Sequence, residues 1–130
     1  MDTDKEDFTH MEEYARIVAS QMLEVASGIE EGRIKKRCAE PLATEGYVTI
    51  RRPGHTRYVP HEESVSYMKN IAESMLKKIE MAGQTYTVGF NQGEPVYYNV
   101  SEREVCEAVN ADIVTIEDLL AQLKRYYEIP

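Results

Sequence analysis

The sequence predicts an α+β fold, and three observations carry that prediction. Apolar residues recur at helical spacing in long segments, they alternate with period two in short ones, and the short ones are split by strong turn signals. A chain of 130 residues with 42% apolar side chains is long enough to bury one core. No internal repeat, low-complexity stretch or linker divides it. Residues 1–130 are therefore read as a single domain: an acidic helical segment (1–32), a basic segment with a β-hairpin (33–60), and a helix-hairpin-helix-helix segment (61–130).

The first element is a long N-terminal helix. Phe8, Met11, Ala15, Val18, Met22, Val25 and Ile29 follow one another at alternating steps of three and four. That spacing draws a narrow seam along one helix face. A seam of this kind packs either on the chain's own core or on a second copy, so these seven residues are also the candidate oligomer interface. Thr3 with Glu6, or Thr9 with Glu12, supplies a capping box, and Gly28 and Gly32 are the expected stops.

Residues 33–40 are basic and suit a short helix that Pro41 ends. The β-formers of Gly46-Tyr47-Val48-Thr49-Ile50-Arg51-Arg52 predict a strand. Pro53-Gly54 turns the chain, and Arg57-Tyr58-Val59 returns it. Residues 61–82 predict the central helix. Val65, Met68, Ala72, Met75 and Ile79 form its stripe, widened by Ile71 and Leu76. Glu62 and Glu63 open it and Lys77 and Lys78 lie near its end, as the helix dipole prefers, and Gly83 is the left-handed cap. A second hairpin pairs Tyr86, Val88 and Phe90 with Val96, Tyr98 and Val100 across Asn91-Gln92-Gly93-Glu94-Pro95. Two closing helices follow. Ser101 with Glu104 caps one near 102–110, and Thr115 with Asp118 starts the last, which buries Ile116, Leu119, Leu120 and Leu123. The two hairpins are expected to join into one small antiparallel sheet.

Charge gives the strongest functional signal. The net charge of −8 disfavours blanket affinity for nucleic acid or an anionic membrane. It is unevenly spread, however: residues 1–32 carry −7, residues 33–57 carry +5 and residues 58–130 carry −6. Arg33, Lys35, Lys36, Arg37, Arg51, Arg52 and Arg57, with His55 as a further donor, are the candidate contacts to a polyanion, DNA or RNA. The segment from Glu45 to Val59, with its opening Gly46, arginine-rich Pro53-Gly54 turn and returning strand, resembles the wing of winged-helix DNA-binding proteins. The resemblance implies a helix-turn-helix upstream, with Gly28-Ile29 as the turn and Arg33, Lys35, Lys36 and Arg37 on the recognition helix. The sequence departs from that family at Glu24, where a small residue is usual, and at Gly32 and Pro41.

Catalytic chemistry finds no motif. His61-Glu62-Glu63-Ser64-Val65 lacks the second histidine of a zinc-protease helix. Three histidines and two distant cysteines, Cys38 and Cys106, give no metal-ligand spacing, and no phosphate loop or dinucleotide fingerprint is present. No cofactor is expected. Val105–Ala111 followed by Thr115, Ile116 and Leu119 has a helix-turn-helix-like spacing, but Asp112, Glu117 and Asp118 would repel phosphate. Tyr86, Tyr97 and Tyr98 cluster on the second hairpin, where a core or hairpin-stabilising role is the first expectation; Tyr97 faces opposite to Tyr98, and exposed there it would suit stacking or an interface. The acidic start has no apolar stretch, the thiols read as free, and the Asn99-Val100-Ser101 sequon reads as chance, so a cytoplasmic location without membrane contact is expected. The function expected is that of a non-enzymatic binding protein contacting a polyanion. The alternative is a protein–protein module, adaptor or small inhibitor acting through its acidic helical faces.

Overall fold

The computed structural model describes residues 3–37, 46–52 and 54–130. The fold is α+β. In chain order its elements are α1 (Thr3–Glu30), β1 (Tyr47–Arg52), β2 (His55–Pro60), α2 (His61–Met81), β3 (Thr85–Asn91), β4 (Glu94–Asn99) and α3 (Glu102–Leu123). The three helices pack pairwise on one another, β1–β2 lies against α3 and α2, and β3–β4 projects from the joint between α2 and α3.

The α1 seam is consumed inside the chain. Met11, Ala15, Val18 and Met22 are buried, and Phe8, Val25 and Ile29 pack against the same cluster. The same cluster takes in Met68, Ala72, Met75 and Ile79 of the α2 stripe and Val109, Ile116, Leu119 and Leu123 of α3. The seam thus finds its partner helices within the chain. Met22, Met68 and Met75 are among the largest fully buried side chains, and unbranched thioethers fill the uneven gaps where three helices meet.

Two expected helix boundaries move, each for a local reason. Helix α1 runs through Gly28 to Glu30, and Gly32, at φ 78°, is the residue that ends it. Gly28 is a packing glycine: a Cβ there would lie 2.6 Å from Cδ1 of Ile34. Thr9 consequently lies inside α1, so its pairing with Glu12 cannot be an N-terminal box.

The two closing helices are one. α3 continues through Asp112 and Thr115, because neither residue caps a helix. The Thr115 hydroxyl lies 3.1 Å from both Ala111 O and Arg51 O, and Asp112 is drawn into ion pairs. Ser101 is the N-cap and accepts from Glu104 N at 3.1 Å. The Glu104 carboxylate accepts from the Tyr98 hydroxyl, which raises the Tyr98 pKa.

The hairpins form two separate two-stranded sheets. In β1–β2 the register runs from Tyr47↔Pro60 to Arg52↔His55. In β3–β4 it runs from Thr85↔Asn99 to Asn91↔Glu94, closed by Gln92 (φ 53°) and Gly93 (φ 84°). This two-residue turn is tighter than the five-residue connection expected, and two left-handed residues match the twist of a hairpin. Separation follows from packing. β1 buries Val48 and Ile50 on the helices, whereas every residue of β3–β4 except half-buried Gly89 is exposed.

Candidate interaction surfaces

The outer edge of β1 is covered by side chains from the C-terminal part of the chain. Gln122 presents its amide to Thr49, accepting from Thr49 N at 2.7 Å and donating to Thr49 O at 2.8 Å. Thr115 bonds Arg51 O, and the Tyr126 hydroxyl donates to Tyr47 O at 3.3 Å. Residues 47, 49 and 51 alternate along the strand, so the backbone row that would recruit another strand is occupied.

The basic residues are separated and largely paired. Residues 33–37 form no helix. After Gly32 the chain folds Ile34 back onto Gly28, then runs beside residues 126–128: Arg37 N donates to Tyr126 O at 2.9 Å and Glu128 N to Lys35 O at 2.8 Å. No turn and recognition helix therefore exist at 28–37. Residues 38–40 of that expected helix, with Cys38, Pro41 and Pro53, lie outside the described residues. Arg33 pairs with Glu31 at 2.8 Å, Lys36 with Glu62, and Arg37 Nε donates to Lys124 O at 2.8 Å. At the other end of β1, some four residues or about 13 Å beyond Tyr47, Arg51 pairs with Asp118 at 3.3 Å and Arg52 with Asp112 at 2.8 Å. The Arg57 guanidinium stacks 5.2 Å from the Tyr67 ring centroid, and His55 is exposed.

Asp112 is the one buried carboxylate among the described residues. It is 3% exposed and holds Arg52 and, at 2.6 Å, Lys78. Its two oxygens tie the first hairpin to α2 through α3. Near the other end of α2, the buried His61 ring stacks on Tyr126 with centroids 4.6 Å apart, and its Nδ1 lies 3.1 Å from the Tyr127 hydroxyl. Burial raises the Tyr127 pKa. These two clusters fasten the ends of the bundle.

The β3–β4 hairpin is built differently. Phe90 is 74% exposed, Val88 63% and Tyr97 62%, and Tyr86, Val96 and Tyr98 are also exposed. A bulge falls between Thr87 and Gly89, so Thr87 pairs with Tyr97 and Phe90 with Pro95. Alternate β4 residues share a face, which brings Phe90 to the face of Tyr97 and away from that of Tyr86 and Tyr98. The hairpin is tied to the body at its base, by Gly83 N to Val100 O at 2.8 Å, Val100 N to Gln84 O at 2.9 Å, and Tyr98 to Glu104. The sequence carried a signal for this surface. Met81–Gly93 is thirteen residues without a charge, in a chain where 29% are charged.

An open hollow of about 710 Å³ between α1 and α3 is lined by residues including Asp7, His10, Arg103, Cys106 and Glu107. Among the described residues no group of His, Cys, Asp or Glu side chains is arranged to hold a metal ion, and no helix is long and apolar enough to cross a membrane. Comparison with family models, curated proteins and solved structures returns no match.

Proposed function

We propose that the chain is a cytoplasmic binding protein, not an enzyme, and that it engages another protein through the β3–β4 hairpin. One observation carries this reading: Val88, Phe90 and Tyr97 stand in solvent on a hairpin that, among the described residues, is bonded to the body at its base. Exposing large apolar side chains together costs solvation free energy, and covering them with a partner recovers it. Aromatic residues are enriched in the anchoring positions of protein interfaces. The charge distribution supports the same reading. Four of the seven cations expected to meet a polyanion already face carboxylates.

The test is site-specific photo-crosslinking in the native cell. A benzoylphenylalanine replaces Phe90 or Tyr97, with exposed Glu13 as the control position. Discrete protein adducts at 90 and 97, absent at 13, support the proposal. Adducts to nucleic acid, or none at either hairpin position, overturn it.

Polyanion binding through residues 33–57 is the second reading. It is favoured by exposure: the pairs Arg33–Glu31, Lys36–Glu62 and Arg51–Asp118 all lie at the surface. Exposed pairs are worth at most about 1 kcal/mol, so phosphate can displace them. Its signature is a mobility shift of duplex or single-stranded nucleic acid that weakens steeply with salt. Loss of that shift on charge reversal of Arg51, Arg52 and Arg57 would place it in this segment.

A further inference from the structure

The two hairpins treat their open edges in opposite ways. The outer edge of β1 is tiled by Gln122, Thr115 and Tyr126. The outer edge of β3 receives no hydrogen bond from any other described residue. It also lacks the features that blunt an edge: β3 has no charge and no proline, whereas Glu94 and Pro95 open β4. We infer that two copies of this chain join through the β3 edge, forming a continuous four-stranded antiparallel sheet in the order β4, β3, β3, β4.

This inference rests on the reading of the hairpin as a protein-binding surface, and it names the partner. Three physical points select a second copy. A lone two-stranded hairpin with no helix beneath it is marginally stable in water, and more strands make it a sheet. Two chains of net charge −8 repel one another, so contact between copies must fall where charge is absent, and Met81–Gly93 is the longest such stretch. A two-fold axis beside β3 pairs each edge with its own equivalent, giving a closed dimer instead of an open fibre.

The area sets the strength. Val88 and Phe90, on the joining strand, can cover at most roughly 250 Å² per copy, given that a buried aromatic side chain hides about 150–250 Å². That is about a third of a standard interface, and the backbone pairing adds hydrogen bonds to it, so the dimer is weak, reversible and dependent on concentration. Because the copies repel through like charge, added salt strengthens the dimer by screening. Polyanion binding has the opposite sign.

Sedimentation velocity over a concentration series, at low and high salt, tests this directly. The wild-type chain should move from monomer to dimer as protein is concentrated, at lower concentration in high salt. Val88→Glu, an exposed change that puts a charge on the edge, should stay monomeric with an unchanged circular dichroism spectrum. Amide exchange across β3 should slow on concentration in the wild type and not in V88E. A wild type that remains monomeric up to millimolar protein in high salt, or a dimer that V88E leaves intact, overturns the inference. Adducts at Phe90 and Tyr97 to a different protein would also overturn it while leaving the binding role standing. The absence of any adduct would remove both.

Discussion

Gln122 bonds Thr49 as a neighbouring strand would, with one side-chain amide answering both the N–H and the C=O of the same residue at 2.7 and 2.8 Å. The amide also donates to Asp118 at 3.1 Å. A helix thereby finishes a sheet edge. Replacing Gln122 with Leu leaves two backbone groups without their partner, at a cost of about 1–3 kcal/mol. For a domain of this size that lowers Tm by roughly 4 °C per kcal/mol, read by calorimetry. Gln122→Glu should cost more at neutral pH, since a carboxylate cannot donate to Thr49 O and repels Asp118. It should recover in part in acid, where a protonated carboxyl donates again.

Gly28 and Ile34 are coupled through space. Gly28→Ala in the wild type forces a Cβ to 2.6 Å from Cδ1 of Ile34, an overpacking cost of about 1–3 kcal/mol. In an Ile34→Ala background the obstruction is gone. Ala is the better helix former by about 0.5–1 kcal/mol, so the same substitution should then stabilise. A double-mutant cycle by urea denaturation measures the sign change; additive effects would contradict the packing role.

Asp112 holds two cations from different elements. Asp112→Ala frees Arg52 and Lys78, both with partial access to water. The expected loss is about 2–3 kcal/mol, below that of a fully buried pair because the stranded cations can reach solvent. Arg51, paired at the surface with Asp118, should cost less than about 1 kcal/mol when changed to Ala.

Tyr127 gives the fold a limit in alkali. Burial raises its pKa above the ordinary value of 10.0, with Glu62 adding to the rise and Lys36 opposing it. The folded state therefore holds the phenolic proton more tightly than the unfolded chain. That stability is fully present below pH 10 and is lost as pH climbs from there through the raised value. Urea midpoints should fall steeply above about pH 10. Tyr127→Phe should start lower, having lost its bond to His61, and fall less steeply, with the rest of the slope due to Tyr14, Tyr98 and Lys36, whose pKa values are raised by hydrogen bonds to Glu117, Glu104 and Glu62.

The helical core was legible because three-and-four spacing reports burial directly. All five stripe residues of α2 and the centre of the α1 seam are buried. Single polar residues misled where tertiary contacts reassigned them. Thr115 and Asp118 have the spacing of a cap, yet Thr115 serves β1 and Asp118 faces Arg51. The basic segment looked continuous because nearness in sequence was all that was visible, whereas the carboxylate facing Arg51 lies 67 residues away. The exposure of β3–β4 was hidden for a related reason. Alternating Tyr86, Val88 and Phe90 imitates a buried strand face, and neither the bulge at Val88 nor the lack of a covering helix is written locally.

We propose that this chain binds through the exposed apolar side chains of its β3–β4 hairpin and not through its cations. The salt dependence of the photo-adduct formed from position 97 tests it most directly. A protein adduct whose yield holds or rises as salt increases is the predicted result. A yield that collapses with salt, accompanied by nucleic acid adducts from a probe at Arg51, would contradict it.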